Sequence, residues 1–248
     1  MVSIILAAGY ATRMFPLTAN FPKPLLPWGH ETIIGRLMDD IDSIGGIKKH
    51  VIVTNHRYID YFTEWYEQQQ FVHPVKLIDD GSLCNENRLG AVGDLLLAIR
   101  RCQIDDDILV MAADNILSGS LQGFVDYFVE RDSSVIMYYR EDDLSKLQKT
   151  GVIVKDTDDR VIRMVEKPQI PLSPWAIPPF YIYAKKDLWL ISRYVEEYHD
   201  TDAPGALACY MSVHTNIHAW KMTMKRVDVG NKETYLSLRQ RTDEEKRR

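Results

Sequence analysis

The first half of the chain alternates short apolar runs with amphipathic stretches, and this alternation restricts the fold more than any other feature of the sequence. The apolar runs have the length of buried strands and lie at residues 4–6, 50–55, 75–79 and 108–113. The stretches between them carry apolar residues at helical spacing and lie at residues 33–44, 58–70 and 89–99. Strands that alternate with helices form a parallel sheet. We therefore predict an α/β fold with a mixed, mostly parallel, Rossmann-like sheet and helices on both faces.

The second half of the chain combines strand and helix patterns with a hairpin. A turn cluster at 156–159 separates two strand-like runs, 151–155 and 160–165, and predicts that they pair. Further strands are predicted at 135–139, 180–184 and 220–227, and helices at 119–131, at 186–198 and from Pro204, with Asp202 as a cap. The proline-rich residues 170–179 indicate a lid or an edge loop, and the charged residues 239–248 a solvated tail.

Composition excludes several classes of partner. The chain of 248 residues is 46% hydrophobic, enough for one large domain, and its formal charge of -5 argues against binding to nucleic acid. Its apolar runs are too short to span a membrane, and its start lacks a signal-peptide pattern. The three cysteines are odd in number and lack metal-ligand spacing, which favours reduced thiols and a cytoplasmic location.

The loop after the first apolar run has the composition of an anion site. It extends from Gly9 to Leu26, contains three prolines that prevent regular helix, and carries two cations, Arg13 and Lys23. Small residues let backbone N–H groups approach phosphate oxygens, while Arg binds them as a planar fork and Lys as a point charge. A basic surface loop would explain either cation alone, but the whole stretch predicts a polyphosphate site.

The full pattern of this stretch, LAAGxxTRMxPLTxxxPKPLLP, resembles the signature of the sugar-phosphate nucleotidyltransferases. Members such as the glucose-1-phosphate thymidylyltransferases and mannose-1-phosphate guanylyltransferases join a sugar 1-phosphate to a nucleoside triphosphate and release pyrophosphate. The resemblance implies that the nucleotide is bound at Leu6, Ala8, Gly9, Arg13 and Lys23, with Arg13 and Lys23 catalytic. Family members often carry glycine where this chain has Ala11, and alanine lacks the freedom of glycine to take positive φ.

Two aspartates are candidate metal ligands. Asp114 directly follows an apolar run, where a carboxylate either holds a cation or only caps a helix or ends a strand. The step 113–115 is similar to a small-Asp-Asn step of the family, and Asp228 with Gly230 is similar to its late Asp-x-Gly. The resemblance implies that Asp114 and Asp228 bind Mg2+, and that Asp114 also contacts the nucleotide.

The resemblance also assigns a nucleobase position and an acceptor site. Gly90 corresponds to a position at which backbone groups contact the base, although a glycine that opens a helix would look the same. Gly151, Glu166 and Lys167 resemble the acceptor site, in which the glycine and the glutamate contact sugar hydroxyls and the lysine the sugar phosphate. An exposed ion pair is the common meaning of a Glu-Lys-Pro triplet elsewhere. The implied organisation is one nucleotidyltransferase domain over 1–248, with a nucleotide-binding half at 1–118 and an acceptor-binding half at 119–235.

The predicted function is therefore Mg2+-dependent transfer of a nucleotidyl group to a sugar 1-phosphate. One alternative is a cytidylyltransferase that acts on phosphocholine, an inositol phosphate or a phosphonate, because the triphosphate half of its site would look the same. Another is a glycosyltransferase that binds a finished nucleotide sugar, although it has no need for the loop from Arg13 to Lys23. A non-catalytic nucleotide sensor is also open, although it would be supported by loss of charged site residues, and each expected one is present. Relatives in the family commonly self-associate, so a homo-oligomer is an expectation.

Overall fold

The computed structural model describes residues 1–199 and 201–245, in which ten strands form one sheet and four short strands form two small ribbons. The strands are β1 (Val2–Leu6), β2 (Pro27–Trp28), β3 (Glu31–Thr32), β4 (Lys49–Thr54), β5 (Val75–Asp79), β6 (Ile108–Ala112), β7 (Asn115–Leu117), β8 (Ser134–Arg140), β9 (Gly151–Lys155), β10 (Val161–Glu166), β11 (Trp175–Ile177), β12 (Phe180–Tyr183), β13 (Ile217–Lys221) and β14 (Arg226–Asp228). The helices are α1 (Ile33–Asp42), α2 (Ile59–Glu67), α3 (Ala91–Arg101), α4 (Gln122–Glu130), α5 (Leu144–Leu147), α6 (Trp189–Glu197), α7 (Pro204–His214) and α8 (Lys232–Glu245).

The first half of the chain forms the parallel part of the sheet. Strand β1 pairs in parallel with β4 on one side and with β6 on the other, and β5 extends the sheet beyond β4. Leu6 lies level with Val53 and Ala112, so three strands end together. Because the connections leave β1 and β6 in opposite directions, this edge is a topological switch point, the usual place for a ligand in such sheets.

The second half adds mainly antiparallel strands, so the sheet is mixed, as predicted. Strand β12 joins the two halves by pairing antiparallel with both β6 and β8, while β13 runs parallel to β8. The predicted hairpin is present, with Glu166 opposite Gly151 at its open end.

Helices cover both faces of the sheet, which confirms the predicted layers. Alternating side chains of β1 point to opposite faces, with Ile5 packed in a core under α1, α2 and α4 and Ile4 in a core under α3, α6 and α7. The hydroxyl of Thr32 accepts a hydrogen bond from the Gly35 N–H at 3.0 Å and caps α1, as its position predicts. None of the helices in the described ranges is both long and apolar enough to cross a bilayer.

Four local predictions are wrong. The residues predicted as a lid or edge loop contain β11, which pairs with both β8 and β9 inside the sheet. The strand predicted at 220–227 is divided between β13 and β14, and much of the predicted tail lies in α8, with residues 246–248 outside the described ranges. Asp202 pairs with Arg88 instead of capping α7, which begins with Pro204 at its first position.

Candidate nucleotide-binding site

The loop after β1 forms two single 3-10 turns instead of a helix, Thr12–Met14 and Lys23–Leu25. Ala11 precedes the first turn with φ 48° and ψ 42°, the left-handed conformation that glycine adopts more readily. The Thr18 hydroxyl donates a 2.8 Å hydrogen bond to the carbonyl of Ala11, and Met14 is fully buried. The alanine therefore keeps the turn that the family pattern implies, at a conformational cost.

Lys23 of the loop and Asp114 after β6 form an ion pair. Lys23 Nζ donates to Asp114 Oδ2 at 2.5 Å, and only 12% of the lysine side chain is exposed. The other Asp114 oxygen accepts from Asn115 Nδ2 at 2.8 Å, and Asn115 Oδ1 accepts from Arg226 at 2.6 Å. A cation and a carboxylate that are 91 residues apart in the chain are thus held at the carboxyl ends of β1 and β6.

Asp228 lies beside this pair because β14 pairs antiparallel with β7. Its backbone partner is Asn115, and the Val229 N–H donates to the Asp114 carbonyl at 3.0 Å. Burial raises the pKa of Asp228, and the neighbouring charge of Asp114 raises it further. Two carboxyl groups that repel each other in a partly buried site are a donor set that a hard divalent cation would neutralise. The residues therefore fit the predicted Mg2+.

Two adjoining cavities open around these side chains. The first, which we call the loop cavity, has a volume of about 220 Å³, and its lining includes Leu6, Gly9, Ala11, Arg13, Lys23 and Asp114. The second, the cleft, has a volume of about 440 Å³ and shares Leu6, Gly9 and Asp114 with the first; Ala8, Gly90 and Asp228 also line it. Every residue predicted to bind the nucleotide or the metal thus lines one of two neighbouring cavities.

Gly90 adopts a conformation that favours glycine. Its φ is 78°, and a Cβ atom placed there would lie 2.6 Å from the carbonyl oxygen of Thr201. The same carbonyl accepts from the Val92 N–H at 2.8 Å, and Asp202 forms an ion pair with Arg88. The start of α3 is therefore packed closely against the segment before α7, and this packing closes one side of the cleft.

Asp94 is a buried carboxyl group at the same wall, with 5% of its surface exposed. Burial raises its pKa to about 8, with smaller contributions from the charge of Asp80 and a hydrogen bond to it. Burial also raises the pKa of Asp80, which accepts from the Ser82 hydroxyl at 3.0 Å. Among the described residues, Asp94 Oδ1 has no hydrogen-bond partner. Asp94 is therefore a buried carboxyl group whose protonated form the fold favours, with Asp80 as its charged neighbour.

The predicted acceptor residues lie apart from the loop cavity. Gly151 and Glu166 are adjacent across the hairpin, and the Glu166 carboxylate packs against Gly205, where an added Cβ would lie only 2.0 Å from Oε2. Lys167 has φ 46°, its side chain is 57% exposed, and its Nζ lies 3.7 Å from Glu166 Oε1. The link to the cleft runs through α7, because Pro204, the neighbour of Gly205, lines the cleft.

Several residues of the site carry no recognisable sequence motif. Arg88 and Asp202 are 114 positions apart, and Arg226 is 111 positions from Asn115, so each pair forms only through the fold. The burial of Asp94 could have been predicted from the sequence, because it is an acidic residue next to Leu95 and Leu96 on the buried face of α3.

Comparison with known proteins identifies the family. The family described as "Nucleotidyl transferase" matches residues 2–245. The bifunctional protein GlmU of Methanocaldococcus jannaschii is 27% identical over 195 residues, which are 78% of this chain and 42% of that protein. The catalytic subunit beta of mannose-1-phosphate guanylyltransferase from Danio rerio is 26% identical over 243 residues, 96% of this chain and 63% of that protein. A crystal structure of UDP-glucose pyrophosphorylase complexed with UDP-glucose has a TM-score of 0.81 at 18% identity, covering 98% of both chains.

The family match covers almost the whole chain, so the protein belongs to the nucleotidyl transferase family. Together with these relatives it confirms the resemblance to the sugar-phosphate nucleotidyltransferases. The chain spans less than two thirds of the length of the two relatives, 42% and 63%.

Proposed function

We propose that this protein transfers a nucleotidyl group from a nucleoside triphosphate to a sugar 1-phosphate, in a Mg2+-dependent reaction that yields an NDP-sugar and pyrophosphate. The observation that carries the proposal is the convergence of Arg13, Lys23 and Asp114 on the loop cavity, with Asp228 beside them in the cleft. Two cations and two carboxylates around one small-residue loop are the groups needed to hold a triphosphate with its metal.

The reaction needs no nucleophilic side chain. An oxygen of the acceptor phosphate attacks the α-phosphorus, a new P–O bond forms, and the bond from that phosphorus to the bridging oxygen of the β-phosphate breaks. Pyrophosphate leaves with the electron pair of that bond. Catalysis then consists of positioning and charge neutralisation, because two polyanions repel each other until cations intervene.

Each charged residue has a role in this scheme. Arg13 is largely exposed at the mouth of the loop cavity and holds the β- and γ-phosphates and the departing pyrophosphate. Lys23 is held in place by Asp114 at 2.5 Å and neutralises charge near the α-phosphate. Lys167, which is 57% exposed, reaches the phosphate of the acceptor. Asp114 and Asp228 hold Mg2+, which when bound supplies further positive charge to the phosphate oxygens.

Sugar 1-phosphates are the preferred acceptors because the relative from Danio rerio is named for one, mannose 1-phosphate, and Gly151 with Glu166 is the predicted contact to the sugar hydroxyls. A phosphorylated amino alcohol is the second candidate. It is favoured by a cavity of about 500 Å³ beside Glu166, whose lining includes Tyr194, Tyr198 and Tyr210. Aromatic faces next to a carboxylate are a common environment for an organic ammonium group.

A grid of pyrophosphate-release assays tests the proposal. Each of ATP, GTP, CTP, UTP and dTTP is combined with Mg2+ and a panel of sugar 1-phosphates, phosphocholine or 2-aminoethylphosphonate. Lys23→Ala and Asp114→Ala are expected to lose roughly a hundred- to a thousand-fold in rate, the effect of removing one preorganised charge. Lys48→Ala is the matched control, since Lys48 also forms an ion pair, with Asp106 at 2.8 Å, outside either cavity.

The outcomes separate the candidates. Release with a sugar phosphate identifies the substrates, and release with only an amino-alcohol phosphate or phosphonate changes the acceptor class but not the mechanism. Near-normal turnover of Lys23→Ala would refute the assigned roles. If folded protein that binds nucleotide sugars releases no pyrophosphate with any triphosphate and acceptor, a glycosyltransferase or a sensor is favoured.

We place the reaction in the cytoplasm, in keeping with three free cysteines at positions 84, 102 and 209.

A further inference from the structure

Three side chains from separate segments converge at the amino-terminal end of β4. His50 Nε2 lies 3.0 Å from Asp42 Oδ1, and His73 Nδ1 lies 3.0 Å from the same oxygen. Asp42 ends α1, His50 lies near the start of β4, and His73 precedes β5. Among the residues that the structure describes, these three form the group of possible metal ligands (His, Cys, Asp or Glu) in which every ligand atom lies within 4.8 Å of the others.

Hydrogen bonds alone explain this convergence poorly. Besides the two ring nitrogens, Asp42 Oδ1 faces the backbone N–H of His73 at 2.9 Å, while Oδ2 accepts from the Val72 N–H at 2.5 Å. A carboxylate oxygen offers two lone pairs, so three donors on one oxygen cannot each have a lone pair of their own. The crowding is relieved if the two ring nitrogens are ligands of a cation that Oδ1 also binds.

The spacing suits a zinc ion. Ligand bonds of about 2.0–2.1 Å in a tetrahedral site separate neighbouring ligand atoms by roughly 3.3 Å. The two separations from Asp42 Oδ1 are both 3.0 Å, within a few tenths of an ångström of this value, and all three ligand atoms lie within 4.8 Å of one another. Two imidazoles and one carboxylate are a donor set that favours Zn2+ over the harder Mg2+.

The surroundings supply what a metal site requires. The outer nitrogen of His50, Nδ1, lies 2.6 Å from the Ser3 hydroxyl in a buried contact, and Nδ1–H can donate to this hydroxyl oxygen in the tautomer that leaves Nε2 free to bind metal. The side chain of His50 is fully buried, whereas that of His73 is 27% exposed. His73 thus gives the ion a path from solvent and leaves room for a water molecule as the fourth ligand.

We propose that Asp42, His50 and His73 form a structural Zn2+ site that ties the end of α1 to β4 and to the segment before β5. Its position excludes a part in nucleotidyl transfer. His50 pairs with Ser3 near the amino-terminal end of β1, whereas the loop cavity lies at the carboxyl-terminal end of the same strand. The inference therefore does not rest on the proposed function.

The test uses the full chain stripped with EDTA and then supplied with ZnCl2 or CoCl2. We expect one zinc per chain after desalting and a tetrahedral visible absorption spectrum with cobalt. Zinc at a hundred times its dissociation constant should raise Tm by roughly 5–10 °C. His73→Gln should weaken zinc binding at least about tenfold, and its partial exposure makes a folding defect improbable as the cause.

Two controls isolate the site. His56→Gln removes another histidine that contacts an aspartate, since His56 Nδ1 lies 2.6 Å from Asp79. Among the residues that the structure describes, no third ligand joins this pair. Asp114→Asn removes the carboxylate of the loop cavity. Both variants should keep one zinc per chain. Zinc binding lost in Asp114→Asn but retained in His73→Gln would overturn the proposal, as would wild-type protein that binds no zinc and gives no cobalt spectrum. The trio would then be only a hydrogen-bonded contact between three segments.

Discussion

Asp94 gives the sharpest prediction about stability. It is 5% exposed, and burial raises its pKa to about 8, against 3.8 for an ordinary aspartate. We consider Asp94→Asn, which has nearly the same shape and whose amide N–H can donate to Asp80 but does not ionise.

The sign follows from proton binding. Because the folded pKa is the higher one, the native state binds more protons than the unfolded chain between pH 3.8 and about 8. The contribution of Asp94 to the free energy of unfolding therefore falls as pH rises through this window, by about 1.4 kcal/mol per pH unit at most, and is constant above it. The full window, from 3.8 to about 8, corresponds to an upper limit of about 6 kcal/mol. We expect less than this limit, because the interaction between the Asp80 and Asp94 side chains offsets part of the cost of ionising Asp94.

We expect Asp94→Asn to be more stable than the wild type by roughly 3 kcal/mol at pH 8.5 and by less than about 1 kcal/mol at pH 4.5. The assay is urea unfolding followed by tryptophan fluorescence at half-unit pH steps. Asp142→Asn is the control, because its carboxyl group is 73% exposed, and its pH profile should parallel that of the wild type. A parallel profile for Asp94→Asn, or a variant less stable than the wild type at pH 8.5, would refute the reasoning.

Three glycine and alanine substitutions test the backbone around the site. Ala11→Gly should raise the free energy of unfolding by about 0.5–1 kcal/mol in a urea titration, because it relieves a residue held at φ 48°; an unchanged midpoint would contradict this. Gly90→Ala should lower the free energy of unfolding by about 1–3 kcal/mol, because φ is 78° and the added Cβ would lie only 2.6 Å from the Thr201 carbonyl oxygen. Thermal unfolding measures the loss. Gly9→Ala is the control, because no atom lies within 4 Å of its added Cβ. Gly205→Ala should displace the Glu166 carboxylate, because the added Cβ would lie 2.0 Å from it. We expect KM for the acceptor to rise roughly tenfold while KM for the triphosphate is unchanged. Equal effects on both KM values would argue against an acceptor contact.

Local sequence patterns predicted most elements of the fold. Five apolar residues of α1 repeat at helical spacing after a capping threonine, and the observed helix begins at the next residue, Ile33. Strand β5 has the predicted bounds, and so does the first strand of the hairpin. The prediction was wrong for β11, a strand of three residues next to prolines, because a short segment acquires strand geometry from its partners rather than from its own composition.

The sequence by itself determined the chemistry of the loop: two cations among small residues and prolines, in an order specific enough to identify the family. It determined neither the distances nor the neighbours. Lys23 and Asp114 meet at 2.5 Å only because β1 and β6 are adjacent in the sheet, and Asp228 joins them only because β14 pairs with β7. The raised pKa of Asp94 likewise depends on tertiary burial, since the cost of ionising a carboxyl group is set by the solvent that the fold removes from it. Periodicity is encoded locally, whereas electrostatics and ligand geometry arise between residues far apart in the chain.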